Sequence, residues 1–427
     1  VAARYQSLRG FNDLLPGQTE HWRRFELAAH ELFRRYGFRE IRPPHLETTD
    51  LFVRSVGQET DIVGKEMFTF ETGDDSLTLR PEVTASVCRA YVEHSLDRAG
   101  ITRLYYLGPC FRKERPQKGR LRQFHQAGVE VFGESSPETD VEVIAVALDL
   151  ARAAGVASPK LLVNSIGDDA CRPAYREKLV AALREREASL CEDCRKRIDR
   201  NPLRVLDCKN ERCRAALADA PRTVDHLCDD CRRHFDGVRA GLDLLGVPYE
   251  VDPGLVRGLD YYKRTTFEIR AEGLGSQNAV LGGGRYDGLI AELGGGKIAG
   301  IGWAAGIERL LIAAGLDEKP ADPELEAFVV TLGDAARERA LPLVQELRRR
   351  GVGTMWDPTG HGLGGQMKRA GRSGARFAVL MGDDELARGA VTLKNLASGE
   401  QSEAPLDADR LAALLLETVR GGAAGKD

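Results

Sequence analysis

The stretch from Tyr105 to Gly133, YYLGPCFRKERPQKGRLRQFHQAGVEVFG, constrains this chain more than any other. It predicts two strands joined by a long charged loop. In the first, Tyr105 to Arg112, Leu107 and Phe111 point one way while Tyr106, Gly108, Cys110 and Arg112 point the other. In the second, His125 to Phe132, Ala127, Val129 and Val131 share one face, and Gln126, Gly128 and Glu130 the opposite one. One face of the hairpin is apolar and needs a core. The other carries Arg112, Gln126 and Glu130 with bare backbone at two glycines, a feature that costs stability and suits close approach by a ligand. The loop sets Lys113, Arg115, Lys118, Arg120 and Arg122 against one acid, Glu114. A solvated hairpin tip has the same composition. Beside a polar floor, the loop suits a polyanion such as a nucleotide phosphate or an RNA backbone.

A chain of 427 residues exceeds what one core usually organises, so more than one domain is expected. The net charge of −4 gives no general attraction for nucleic acid, and any RNA surface must come from local basic patches. The start, VAARYQSLRGFNDLLPG, has no apolar run like a signal peptide, and its lack of Met suggests processing or trimming. No apolar segment reaches transmembrane length, so the expected location is cytoplasmic, with no membrane partner.

Along the chain, Trp22, Phe25, Ala29, Leu32, Phe33 and Tyr36 follow helical spacing up to a stop at Gly37, and FREIRPP (Phe38 to Pro44) reads as a strand that prolines end or push to an edge. SLTLRPEVTASVCRAYVEH predicts a short strand and then a helix with Pro81 near its first position and Glu82 in its first turn, where an acid also complements the helix dipole. Residues from about 165 to 247 are helical, charged and cysteine-rich. There Cys191-x-x-Cys194 and Cys228-x-x-Cys231 bracket Cys208 and Cys213, an arrangement suited either to a tetrahedral zinc site using the two pairs or to packed free thiols. LVRGLDYY (Leu255 to Tyr262), GGGRYDGL (Gly282 to Leu289) and GIGWAAGIERLL (Gly300 to Leu311) are the remaining site-like segments. A dinucleotide fingerprint through Gly300, Gly302 and Ala305 lacks its βαβ setting, and Ile298 after Gly296-Lys297 excludes a P-loop. After the turn-rich AGLDEKPADPE, strands at Phe328–Leu332, Val352–Trp356 and Phe377–Met381 alternate with helices near Asp334–Arg350 and Leu363–Gly371, which predicts a small α/β domain.

These segments together resemble the histidyl-tRNA synthetase family of class II aminoacyl-tRNA synthetases, in its bacterial form. The hairpin resembles motif 2, the first helix and strand motif 1, GIGWAAGIERLL motif 3, and LVRGLDYY the peptide peculiar to the family. The resemblance implies an α+β catalytic core, a class II antiparallel sheet with helices, over residues 1–324. It implies a helical insertion at about 165–247 that holds the tRNA acceptor arm, with NPLRVLDCK as its matching segment, and an α/β anticodon-binding domain over 325–427. The implied activity is ATP-dependent ligation of L-histidine to tRNA(His) through a histidyl-adenylate, with Mg2+, by a homodimer. By the same resemblance Arg257 and Arg112 are catalytic, and Arg112, Arg120, Phe124 and Arg309 bind ATP. Histidine falls to Glu82, Thr84, Gln126, Glu130, Tyr261, Tyr262 and Tyr286. A non-catalytic synthetase-like regulatory subunit of histidine biosynthesis is the alternative; it typically lacks the anticodon domain and parts of these motifs.

Overall fold

The computed structural model describes residues 5–423 apart from 59, 207, 209, 276–277, 318–320 and 322–324, with the side chains of 418–423 also outside the description. Asp207 and Lys209 of the NPLRVLDCK segment, and the expected boundary at Glu324, therefore lie outside the described residues. The chain divides into two compact units, Val1–Lys319 and Pro320–Asp427.

The first unit is built on an eight-stranded sheet. Its strands are β1 (Arg39–Glu40), β2 (Arg103–Phe111), β3 (Gln123–Phe132), β4 (Lys160–Ser165), β5 (Tyr249–Val251), β6 (Lys263–Arg270), β7 (Ala279–Arg285) and β8 (Gly300–Gly306). They lie in the order β1-β2-β3-β8-β7-β6-β4-β5. Pairing is antiparallel through the centre, and the short strands β1 and β5 add parallel edges. The FREIRPP strand is shorter than expected. Only Arg39–Glu40 pairs, because Pro43 and Pro44 have no N–H to extend the ladder.

The β2–β3 alternation sorts side chains between two cores. Tyr105, Leu107, Ala127, Val129 and Val131 face helices α1 (Gln18–Arg35), α2 (Pro137–Ala153) and α3 (Asp229–Leu244), whose Trp22, Phe33, Ile144, Phe235 and Val238 close that side. Tyr106, Cys110 and Phe132 face the other way, among Val83, Tyr91, Tyr261, Tyr262 and Tyr286. The sheet thus hides its apolar face under helices and gives its opposite face to the segments singled out above. A buried ion pair ties the layers together: Arg285 of β7 meets Asp140 of α2 at 2.7 Å, and His234 of α3 meets the same carboxylate at 2.8 Å.

The second unit has strands at Ala327–Thr331, Thr354–Trp356 and Phe377–Met381 in parallel, followed by an antiparallel hairpin, Ala390–Asn395 and Gln401–Pro405. Helices Asp334–Arg349 and Leu363–Ser373 supply the crossovers. The hairpin was not read from the sequence, where TLKNLASGEQ shows too few apolar residues to mark a strand pair.

Candidate active site

The site lies on the open face of the central sheet, and its floor is laid out by register. One row across the strands places Glu130 beside Gly302 and Gly284. The next places Tyr106 beside Gly128, Ala304, Gly282 and Glu268. The glycines serve close approach. A Cβ at Gly302 would overlap the Glu130 carboxylate, one at Gly128 the Tyr106 hydroxyl, and one at Gly282 the Arg257 guanidinium.

Glu130 is wholly buried. Its Oε1 accepts hydrogen bonds from Thr84 Oγ1 at 2.7 Å and Tyr106 OH at 3.3 Å, and its Oε2 accepts one from Tyr286 OH. Burial pushes the carboxyl up to about 8, against the lowering effect of these donors. Burial also raises the Tyr106 and Tyr286 hydroxyls well above their ordinary range, so both remain donors. Tyr261 and Tyr262 pack beside this group with tilted rings, their centres 4.6 Å apart, and Tyr261 lies edge-on to Tyr286 at 5.6 Å. Gln126, four residues before Glu130 on the same face, accepts from Cys110 Sγ at 3.3 Å. Tyr106 had no role in the sequence reading, although the alternation put it on the polar face.

Glu82 departs from expectation. The helix runs Thr84–Glu93 with Val83 at its N-cap, so Glu82 precedes the first turn and Pro81 is not a first helical residue. The Glu82 carboxylate accepts from Thr84 N at 2.7 Å and Ala85 N at 2.9 Å, satisfying N–H groups that helix geometry leaves without partners. Burial raises its affinity for a proton.

Charged groups ring the rest of the floor. Arg112 donates to the Pro81 carbonyl at 2.8 Å and lies over the Phe124 ring at 5.1 Å. Arg257 pairs with Glu268 Oε2 at 2.7 Å, while Arg270 holds the other oxygen at 2.7 Å. Arg309, near the start of the helix Ile307–Ala313, donates to Ala279 O at 2.7 Å and Gly119 O at 3.1 Å. The basic loop is thereby folded onto that helix, with Arg120 held by Glu114 at 2.9 Å. Behind it, Glu308 accepts from His125 N at 3.0 Å and meets its Nδ1 at 2.9 Å. Glu268, Glu308 and His125 were missed, since single acids on strand and helix edges carry no spacing signal.

The cysteine expectation is corrected. The two CxxC pairs do not face one another. Cys191 and Cys194 gather with Cys208 and Cys213, and Cys228 and Cys231 gather with Asp168 and Cys171. Each pair starts its own helix, Glu192–Arg200 or α3, and those helices sit on different parts of the insertion. Arg204 of the insertion reaches the Arg257 carbonyl at 3.3 Å, and Asn201 reaches Asp260 at 2.9 Å. A cavity of about 490 Å3 opens there, lined by Arg172, Arg204, Val256, Arg257 and Tyr262 among others.

A family model described as histidyl-tRNA synthetase matches residues 10–310, and one described as an anticodon binding domain matches residues 326–417. Histidine–tRNA ligase of Geobacter metallireducens is 48% identical over 407 residues, covering 95% of this chain and 98% of the relative. That of Halothermothrix orenii is 48% identical over 92% of this chain and 95% of its own length. Among solved structures, apo histidyl-tRNA synthetase of S. aureus aligns with a TM-score of 0.79 at 38% identity, covering 96% of this chain and all of that one. With its sheet, its motif segments and both units matched along nearly their full length, the chain belongs to the histidyl-tRNA synthetase family.

Proposed function

We propose that the chain ligates L-histidine to tRNA(His) in two steps, using the face just described. The histidine carboxylate attacks the α-phosphorus of ATP, forming the acyl–phosphate bond and releasing pyrophosphate. A hydroxyl of the terminal tRNA ribose then takes the acyl group, and AMP leaves. The buried Glu130 cluster carries this reading. A carboxyl wrapped by Thr84, Tyr106 and Tyr286 and held near neutrality has the chemistry to select an imidazole over an apolar side chain. Glu130 and Tyr262 would read the ring nitrogens. Glu82, Thr84 and Gln126 would hold the α-ammonium, and Tyr261 and Tyr286 would wall the pocket.

Arg112 and Arg257 would neutralise the α-phosphate and the approaching carboxylate, Phe124 would stack on adenine, and Arg309 with Arg120 would take the outer phosphates. Phosphoryl transfer needs such positioning and charge more than covalent help. The metal-capable groups among the described residues are all built on cysteine. Mg2+ would enter on the ATP phosphates, as MgATP. The unit from Pro320 would read the anticodon and the insertion the acceptor arm. A homodimer through the first helix and β1 completes the proposal, with cytoplasmic action. No helix among the described residues is long and apolar enough to cross a membrane.

The regulatory reading is not favoured. Relatives at 48% identity over nearly the whole chain are ligases, whereas a structure described as an ATP phosphoribosyltransferase regulatory subunit/histidyl-tRNA synthetase shares only the fold, at 20% identity. Histidine-dependent exchange of pyrophosphate into ATP tests the choice. Robust exchange with histidine is the expected result, and its absence in folded protein would overturn the proposal.

A further inference from the structure

We propose that the insertion is stapled by two zinc centres, one of four cysteines inside it and one of an aspartate and three cysteines at its root. Each group offers four ligand atoms, all within 4.8 Å of one another. Tetrahedral zinc with Zn–S near 2.3 Å requires sulfurs about 3.8 Å apart. Cys191 Sγ lies 3.9 Å from Cys208 Sγ, and Cys171 Sγ lies 3.8 Å from Cys231 Sγ. All nine cysteines are free thiols, so these are not strained disulfides. For one carboxylate oxygen among thiolates the expected O···S separation is about 3.5 Å. Asp168 Oδ1 is 3.6 Å from Cys171 Sγ and 4.0 Å from Cys228 Sγ.

The two centres share one local device. LCEDCR at Leu190 and LCDDCR at Leu227 both place the first cysteine at a helix N-cap, with nearly the same backbone (φ −68°, ψ 163° and φ −66°, ψ 165°), and the second in the first turn. A helix N-terminus favours thiolate over thiol. Further N–H groups serve sulfur: Cys191 N donates to Cys213 Sγ at 3.1 Å, and Asp168 N to Cys171 Sγ at 3.4 Å. At the root, Asp168 turns its second oxygen to Arg264 at 3.2 Å, the outer-shell partner that orients a carboxylate ligand.

Position gives the root centre its consequence. Asp168 and Cys171 follow β4 where the chain enters the insertion, and Cys228 and Cys231 start α3 where it leaves. The same entry loop bonds Arg264 N to Gly167 O at 2.8 Å, and Arg172 donates to the Tyr262 carbonyl. Metal there clamps both crossings of the insertion beside Tyr262.

Full-length protein, reduced and reconstituted with zinc, should hold about two ions per chain. Cys194→Ser and Cys231→Ser should each hold about one, and Cys88→Ser, outside both clusters, about two. Cobalt in the wild-type chain should give intense thiolate charge-transfer bands, and chelation should speed amide exchange in 168–231 and around Tyr262. Wild-type protein without metal after reconstitution would overturn the inference. So would folded variants that keep the wild-type amount, and if a variant fails to fold, a featureless cobalt spectrum of the wild-type chain would do the same.

Discussion

In the proposed histidine pocket, the Glu130 carboxyl, raised to about 8 by burial, would determine what histidine binding does to protons. Between the ordinary imidazole value of about 6.5 and about 8, Glu130 holds one proton and the free imidazole none. Binding then needs no net exchange. Below that window a proton must be released, and above it one must be taken up, so affinity falls on both sides. The KM for histidine in pyrophosphate exchange should therefore be flat across the window. Glu130→Gln should raise it by a factor on the order of 10² or more and remove the alkaline limb. Folding has a different pH dependence. The folded protein keeps a proton that the unfolded chain gives up above 4.5, so this contribution is complete at low pH and lost as pH rises towards about 8. The Tm of the Gln variant, relative to the parent, should climb over that interval. Arg257 bears on rate instead. In its proposed role, the planar guanidinium held by Glu268 would bridge phosphate and carboxylate in a way that an ammonium does not. Arg257→Lys and Arg257→Ala should bind ATP nearly normally yet form adenylate about a hundredfold more slowly or worse. Single-turnover measurements should find the transfer step much less affected.

The elements explain how much of this was legible. The β2–β3 hairpin was readable because period-two alternation assigns every side chain to a face, and the assignment of Tyr105 and Tyr106 to opposite cores follows it. Glu82 was placed in the first turn, although it lies two residues ahead of Thr84, because a carboxylate ahead of a helix and one in its first turn satisfy the same N–H groups. The cysteine pairing was not legible at all, since each CxxC knuckle fixes only two ligands and the fold chooses the other two. Glycines marked the floor but not their function, which comes from neighbours on other strands. Gly302 is the sharpest case, its missing Cβ being the space the Glu130 carboxylate occupies. Gly302→Ala should cost about 1–3 kcal/mol of stability, measured by denaturant unfolding, and should weaken histidine more than ATP.

For the whole molecule, all the proposed histidine and ATP groups belong to the unit ending at Lys319, while the anticodon-type match begins at residue 326. A chain ending at Ala321 should keep histidine-dependent exchange and lose tRNA charging by at least about tenfold, with tRNA binding by the full chain falling steeply with salt. The second unit carries a basic cluster at Lys368, Arg369 and Arg372, of which Arg369 is held by Asp357 at 2.8 Å, so its Ala variant should disturb stability as well as any RNA binding.

The pairing of the two knuckles also bears on how the chain reaches its native state. Thirteen residues separate Cys194 from Cys208, and thirty-three separate it from Cys228. Loop closure favours the nearer partner by only about 0.8 kcal/mol, roughly fourfold. An unfolded chain meeting zinc can therefore join Cys191 and Cys194 to Cys228 and Cys231, a complete four-thiolate set that the folded insertion keeps apart. Escape from that trap requires thiolates to leave the metal. Refolding with zinc present from the start should be slower, by tryptophan fluorescence, than refolding first and supplying the metal afterwards.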